Sequence, residues 1–195
     1  MASTSHYLAI DPGHSGGIAL LNAAGTTCCT WDMPTRKHGT VVEIDLPPLY
    51  DILTQALHFP VIVAGLEWPS AWPGTFGNVA RDATAFGKGL GTLDAILWAM
   101  GFDYRRVPPQ QWKQRLGLVG KSWDAKSEQG HALWLREYPQ HADRVTGSRG
   151  GLKDGLLDAC LIAHYLRIGG EAPCGHRGGK RPACFRGVGK ELFSD

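Results

Sequence analysis

Three short apolar runs open the chain. Tyr7 to Ile10, Gly17 to Leu21 and Cys28 to Met33 are separated by turns of Gly and small residues, a pattern that predicts a meander of hydrogen-bonded neighbouring strands. The period then changes. Leu46, Leu49, Leu53 and Leu57 recur at three-to-four spacing and predict a helix over Ile44 to His58, with Pro47 and Pro48 near its start, where proline is tolerated. Val61 to Leu66 is apolar throughout, as a central strand covered on both faces must be.

The longest helical pattern runs from Asn78 to Met100, with Val79, Phe86, Leu90, Leu93, Leu97 and Met100 on a core face. Gly87 and Gly91 lie within it and each weakens a helix by about 1 kcal/mol relative to Ala. Close approach of another backbone is one reason for such glycines, and a kink or break is the other. Tyr104 to Val107 reads as a fifth strand, Pro109 to Leu116 as a short helix opened by proline, and Ser122 to Tyr138 as an amphipathic helix. Gly150 and Gly151 permit a sharp turn into a last helix, Lys153 to Arg167. Beyond Gly169 the composition shifts to Gly, Arg, Lys, His and Pro without period. The expected organisation is one α/β domain over residues 1–168 and a flexible basic tail over 169–195.

Composition changes this picture little. A chain of 195 residues, 43% hydrophobic, buries one core, and a net charge of +2 leaves any attraction for nucleic acid to local basic patches. No apolar run approaches the roughly 20 residues that span a bilayer, and no signal-peptide pattern precedes the first strand. The expected location is cytoplasmic or nucleoid-associated, in a bacterium or phage; a plastid fits if a transit peptide has been removed. Five cysteines, two of them the adjacent Cys28 and Cys29, point to reduced thiols.

The candidate chemistry lies in four acids at the ends of these elements. Asp11 closes the first run before Pro12-Gly13, and Glu67 closes the central strand before Trp68-Pro69. Asp154 and Asp158 are four apart at the start of the last helix and share one of its faces. Singly, each has an ordinary reading: a helix cap for Asp154, a solvated side chain for Asp158, a turn for Asp11. Glu67 fits such a reading least, because its strand otherwise reads as fully buried. Strand ends in an α/β sheet converge on one edge, where four carboxylates would repel and hold their protons unless cations were present. Mg²⁺ prefers such hard oxygen ligands. Two ions about 4 Å apart activate a water and stabilise the leaving oxygen of a phosphodiester.

At this point the chain resembles a known family. Ile10-Asp11-Pro12-Gly13 with Ser15-Gly16-Gly17-Ile18-Ala19-Leu20, then Gly65-Leu66-Glu67, then Asp154-Gly155 with Asp158-Ala159 and Cys160 to Ala163, is similar to the RuvC group of Holliday junction resolvases. Val107-Pro108-Pro109-Gln110-Gln111-Trp112-Lys113 with Leu116-Gly117-Leu118, and Lys126-Ser127, carry the likeness further. The match lies nearest the subgroup that includes the plant chloroplast resolvases, whose last two acids are also four apart, whereas classical bacterial members space them by three. The resemblance spans residues 6–168. It implies an RNase H-like fold: a five-stranded mixed sheet, three strands antiparallel, flanked by helices on both faces. It implies a homodimer that resolves four-way DNA junctions by paired, symmetric cuts. Asp11 would bridge two Mg²⁺ ions, for which Mn²⁺ substitutes. Glu67 would hold the ion on the leaving-group side, and Asp154 and Asp158 would complete the site. Lys126, among the catalytic residues, would approach the phosphate, and the long helix bearing Gly87 and Gly91 would line the dimer interface.

Around these acids, Lys113, Arg115, Lys121, Lys126 and Lys153 are candidates for neutralising phosphates, and equally the charges of a solvated face. Trp68, Trp72 and Phe76 follow Glu67 and are candidates for stacking on bases or wedging between pairs, at about 1 to 3 kcal/mol per stacked base, or for packing on the next helix. His14 reads as an exposed turn residue and His164 as core packing. In the tail, Cys174, His176 and Cys184 lack the paired spacing of zinc modules, and Arg177, Lys180, Arg181, Arg186 and Lys190 suit nonspecific DNA affinity. Three alternatives stay open: a related nuclease for RNA precursors or branched DNA, a junction binder that does not cut, and an actin- or sugar-kinase-like ATP-binding protein. The last requires two sheet domains.

Overall fold

The computed structural model describes residues 5–69, 79–120 and 122–171, with the backbone alone for 79–83 and 123. Five strands form the main sheet: β1 (His6–Asp11), β2 (Gly17–Asn22), β3 (Cys28–Asp32), β6 (Val61–Glu67) and β7 (Tyr104–Val107). Their order is β3-β2-β1-β6-β7. The first three pair antiparallel, while β6 and β7 run parallel to β1. The mixed sheet that the resemblance implies is thus present, with the central strand next to β1.

Strand alternation sorts the side chains into two cores. Leu8 and Ile10 of β1, Ile18 and Leu20 of β2 and Leu66 of β6 pack against α1 (Leu46–Leu57) and α2 (Val79–Ala99). Ala9, Ala19, Leu21 and Val107 face the other way, onto α3 (Pro109–Arg115), α4 (Trp123–Glu137) and α5 (Asp154–Arg167). Helices therefore cover both faces. Alternation also decides where the strand-end acids go: Asp11 follows the parity of Ala9, and Glu67 that of Gly65, so both lie on the α5 face.

Two departures from the sequence reading matter. Residues 35–44, with no clear period, form a hairpin of β4 (Thr35–His38) and β5 (Val41–Ile44), and α1 starts only after it, with prolines in its first turn. The 3₁₀ segment Pro139–Val145, also unforeseen, bridges α4 to the loop before α5. α2 runs without a break, and an added Cβ at Gly91 would meet nothing within 4 Å among the described residues, whereas one at Gly89 would lie 3.4 Å from Ile44. His164 is buried as expected, its Nδ1 2.6 Å from the Tyr138 hydroxyl, which in turn accepts from Arg167 at 2.8 Å. Cys28, Cys29 and Cys160 are free. Among the described residues, no helix is long and apolar enough to cross a membrane. The tail expectations, including those on Cys174, His176 and Cys184, fall on residues 172–195 and lie outside the described residues.

Candidate active site

The site begins with strand register. Ile10 stands beside Leu66 across the parallel β1–β6 ladder, so the next residue of each strand, Asp11 and Glu67, sits on the same sheet edge and the same face. Neighbouring strands are about 4.8 Å apart, which leaves the two carboxylates side by side. The last helix then has to reach them. It does so through glycine: Gly155 forms a bridge with Gly16, and a Cβ on Gly155 would lie 2.1 Å from the Ser15 carbonyl oxygen, one on Gly16 2.3 Å from that of Asp11. No side chain fits there. The start of α5 thereby seats directly on the β1–β2 turn and carries Asp154 and Asp158 to the strand ends.

Each acid has a specific protein partner. Asp11 Oδ1 accepts the Gly13 amide at 3.1 Å, which holds the turn after β1. Glu67 Oε1 accepts the indole N–H of fully buried Trp112 at 3.0 Å. Asp158 Oδ2 accepts from Lys113 Nζ at 3.0 Å, and Asp154 Oδ1 from the Ser127 hydroxyl at 2.5 Å. Trp112 and Lys113 are consecutive on α3, and Ser127 lies in the second turn of α4, so these two helices address one acid after another.

The acids also feel one another. Burial lifts the Asp11 carboxyl to about 6, with Asp158 pushing the same way against the Gly13 amide and Lys113. Glu67 is pushed up to about 8, first by burial, then by the charges of Asp11 and Asp158, with Lys113 and Trp112 opposing. Asp158 is raised by burial and by Asp154, with Lys113 holding it down. Carboxyls that destabilise each other's ionised forms are relieved by a cation in their midst. As the side chains stand, no three His, Cys, Asp or Glu among the described residues are arranged to hold a metal ion. The Lys113 ammonium, the Trp112 indole and the Ser127 hydroxyl each occupy one carboxylate instead. In donor chemistry, hard oxygens at mutually raised protonation, the set suits a hard divalent ion. To ligate one in common, the carboxylates must turn and Lys113 must leave Asp158.

The other candidates are spread more widely. Lys126 lines a small cleft with Lys113, Ser127, Asp154 and Asp158. Lys153, at the N-terminus of α5, gives its ammonium to both oxygens of Asp32, at 2.8 and 2.6 Å. Trp68 is half-buried against the α2-side core beneath the Arg106 guanidinium, 4.1 Å from the ring centroid, and Arg106 is held in turn by Asp94 at 2.7 Å. Trp72, Phe76 and Lys121 lie outside the described residues. Sequence reasoning missed Trp112 and Ser127 as partners of the acids, although both stood within the motifs quoted for the resemblance.

Two solved structures resemble the chain over most of its length. Thermus thermophilus RuvC is 18% identical with a TM-score of 0.50, covering 86% of this chain and 99% of that one. The same protein in complex with a Holliday junction substrate is 17% identical with a TM-score of 0.49, covering 86% and 98%. The fold is RNase H-like. No protein-family model matches the chain, and no curated protein does. Within this RNase H-like sheet the acids occupy the end of the first strand, the end of the neighbouring parallel strand and the first turns of the last helix.

Proposed function

We propose that this chain is a RuvC-type endonuclease that resolves four-way DNA junctions using divalent ions, Mg²⁺ by preference and Mn²⁺ as substitute. The observation that carries the reading is the meeting of Asp11, Glu67 and Asp158 at one sheet edge, where burial, then the charge of Asp158 on Asp11 and of both on Glu67, raises the affinity for protons and hence for cations. The motif order, the RuvC-like fold and the identity of all four acids support it. The spacing of Asp154 and Asp158 supports placement near the chloroplast-type subgroup.

Asp11, Glu67, Asp154 and Asp158 would hold the ions. When bound, these supply water activation and charge stabilisation on the leaving oxygen of a phosphodiester. The protein's own part is positional. Trp112 fixes the Glu67 carboxylate, Ser127 fixes Asp154, and the glycine contact fixes the distance between helix and sheet. Lys113, released from Asp158, and Lys126 in the same cleft would then face the scissile phosphate and offset its charge. Lys153, Lys121, Trp68, Trp72 and Phe76 complete the DNA surface in this reading. A homodimer is favoured by the apolar groove between α1 and α2, lined by Leu46, Pro47, Tyr50, Ile96 and Ala99, where Leu46 and Tyr50 stand exposed among the described residues. A two-domain ATPase is disfavoured, because the described residues build one five-stranded sheet and one two-stranded ribbon.

The test is incubation of wild type and Asp11→Asn with a labelled immobile junction, with and without Mg²⁺. Wild type should introduce paired nicks only with the metal, and Asp11→Asn should bind but cut at least about 10²-fold more slowly, the scale of losing one transition-state contact. Equal cutting by both proteins, or no cutting by wild type with Mg²⁺ or Mn²⁺, would overturn the reading.

A further inference from the structure

The β4–β5 hairpin is a ribbon with little structural reason for its composition. All four β4 side chains, Thr35, Arg36, Lys37 and His38, are exposed, and of β5 only Ile44 enters the core. A two-stranded ribbon is marginal by itself, so this one must be held from outside. Ions do that: Glu43 Oε1 accepts from Arg36 at 3.2 and 3.1 Å, and Glu43 Oε2 accepts from Lys88 of α2 at 2.6 Å. One acid therefore serves two cations, while Lys37 and His38 project from the strand without an acidic partner among the described residues.

The ribbon's position is set by its root. The Met33 amide donates to the Gly16 carbonyl at 3.0 Å, and the Asp45 amide to that of Pro34 at 2.9 Å, so both ends of the hairpin leave from the turn that follows Asp11. Between that turn, the ribbon and α2 lies a cavity of about 160 Å³ whose polar lining includes His14, Arg36, Glu43 and Lys88. Arg36 spends part of its five-donor guanidinium on Glu43 and leaves the rest to solvent. At about 3.3 Å per residue, the four-residue β4 extends roughly 13 Å from its root. That matches about four nucleotide steps of 3.4 Å along one strand.

We propose that the β4–β5 ribbon, with Lys88 of α2, is a backbone clamp that receives the phosphates of the duplex arm leading away from the cut. Successive β4 side chains alternate between faces, so a backbone running along the ribbon's β4 edge is reached by Lys37, the free contact, from one face and by Arg36, the anchored one beside Lys88, from the other. This rests on the nuclease reading above, because only a phosphodiester seated at the acids places an arm under the ribbon. The competing account is that β4's cations merely keep a bare strand edge from pairing with another chain.

The experiment compares wild type, Lys37→Ala and Lys37→Glu by fluorescence anisotropy on a labelled immobile junction in EDTA, over about 50 to 200 mM KCl. If one phosphate contact is lost, Lys37→Ala should lower the slope of log affinity against log salt by about 0.9 and weaken binding about tenfold at 50 mM, with Lys37→Glu weaker still. Melting temperatures should match wild type, since Lys37 is exposed. Unchanged affinity and slope in both variants would overturn the clamp, all the more if Lys37→Ala raises self-association, as edge protection requires. Wild type that binds and cuts beside such silent variants would leave the nuclease reading standing. Wild type that neither binds nor cuts would remove both.

Discussion

The helices on the two faces of the sheet are fixed in different ways. On one face α5 buries eleven of its fourteen residues, from Gly155 to Leu166, and touches the β1–β2 turn through glycines that leave no space. On the other, α1 buries only Leu49, Leu53 and Ala56, leaving Leu46 and Tyr50 nearly half exposed, and Gly91 of α2 faces open space. All four acids belong to the tightly fixed face. In the proposed reading the difference separates two jobs: the α5 face would hold chemistry at fixed distances, and the α1–α2 face would leave surface for other molecules.

Breaking the tight face should have the largest effect. Gly155→Ala puts a methyl group against backbone that cannot rotate away, so the α5 terminus must lift from the turn. A loss of about 3 kcal/mol or more, at the upper end of core overpacking, is expected in thermal melts, together with abolished cutting. A Gly155→Ala protein that melts and cuts like wild type would show that the bridge does not set the site.

The second expectation concerns protons. Glu67 is held up to about 8 and Asp11 to about 6, both above their ordinary values of 4.5 and 3.8. The folded protein therefore binds these protons more tightly than the unfolded chain. Metal-free stability should be highest on the acid side of this window, decline as pH rises from the ordinary carboxylate range towards about 8, and level off above it. Glu67→Gln should remove most of that slope. If Mg²⁺ takes the place of the protons, as proposed above, it should raise the melting temperature more at about pH 8 than at about pH 5.5. Melting curves in EDTA that improve steadily towards alkaline pH would contradict the mutual repulsion of the acids.

The smallest effect belongs to the open face. Gly91→Ala adds a methyl group where nothing stands and removes a poor helix former, so it should stabilise the monomer by up to about 1 kcal/mol. If sedimentation shows weakened self-association instead, a second copy sits on α2 and the two faces are both closed in solution.

Much of this arrangement was legible in the chain. β1, β2 and β6 stood out as short apolar runs, β3 and β7 as shorter segments of mixed residues between turns, and Asp11 and Glu67 stood out because each ends an apolar run. The β4–β5 ribbon escaped notice because ion pairs to Glu43 hold it, and charges at cross-strand spacing leave no hydrophobic period. Trp112 and Ser127 were passed over for a related reason: a buried indole reads as core and a serine in the second turn of a helix as ordinary, until the fold sets them on Glu67 and Asp154. Gly87 and Gly91 drew attention by sitting inside a helix, whereas the glycines that govern the site, Gly16 and Gly155, lie at a turn and a helix start where glycine is unremarked. Distance in space, not composition, distinguishes them.

The contact between Gly16 and Gly155 joins the first turn to the last helix, near opposite ends of the sequence. Such a long-range pairing forms late, because the loop it closes must be ordered first. During translation, a nascent chain could complete β1 and β2 and still lack half of its acids until α5 leaves the ribosome. Under the proposed nuclease function, the polypeptide would thus stay inert through its own synthesis, its activity switched on only by docking the final helix.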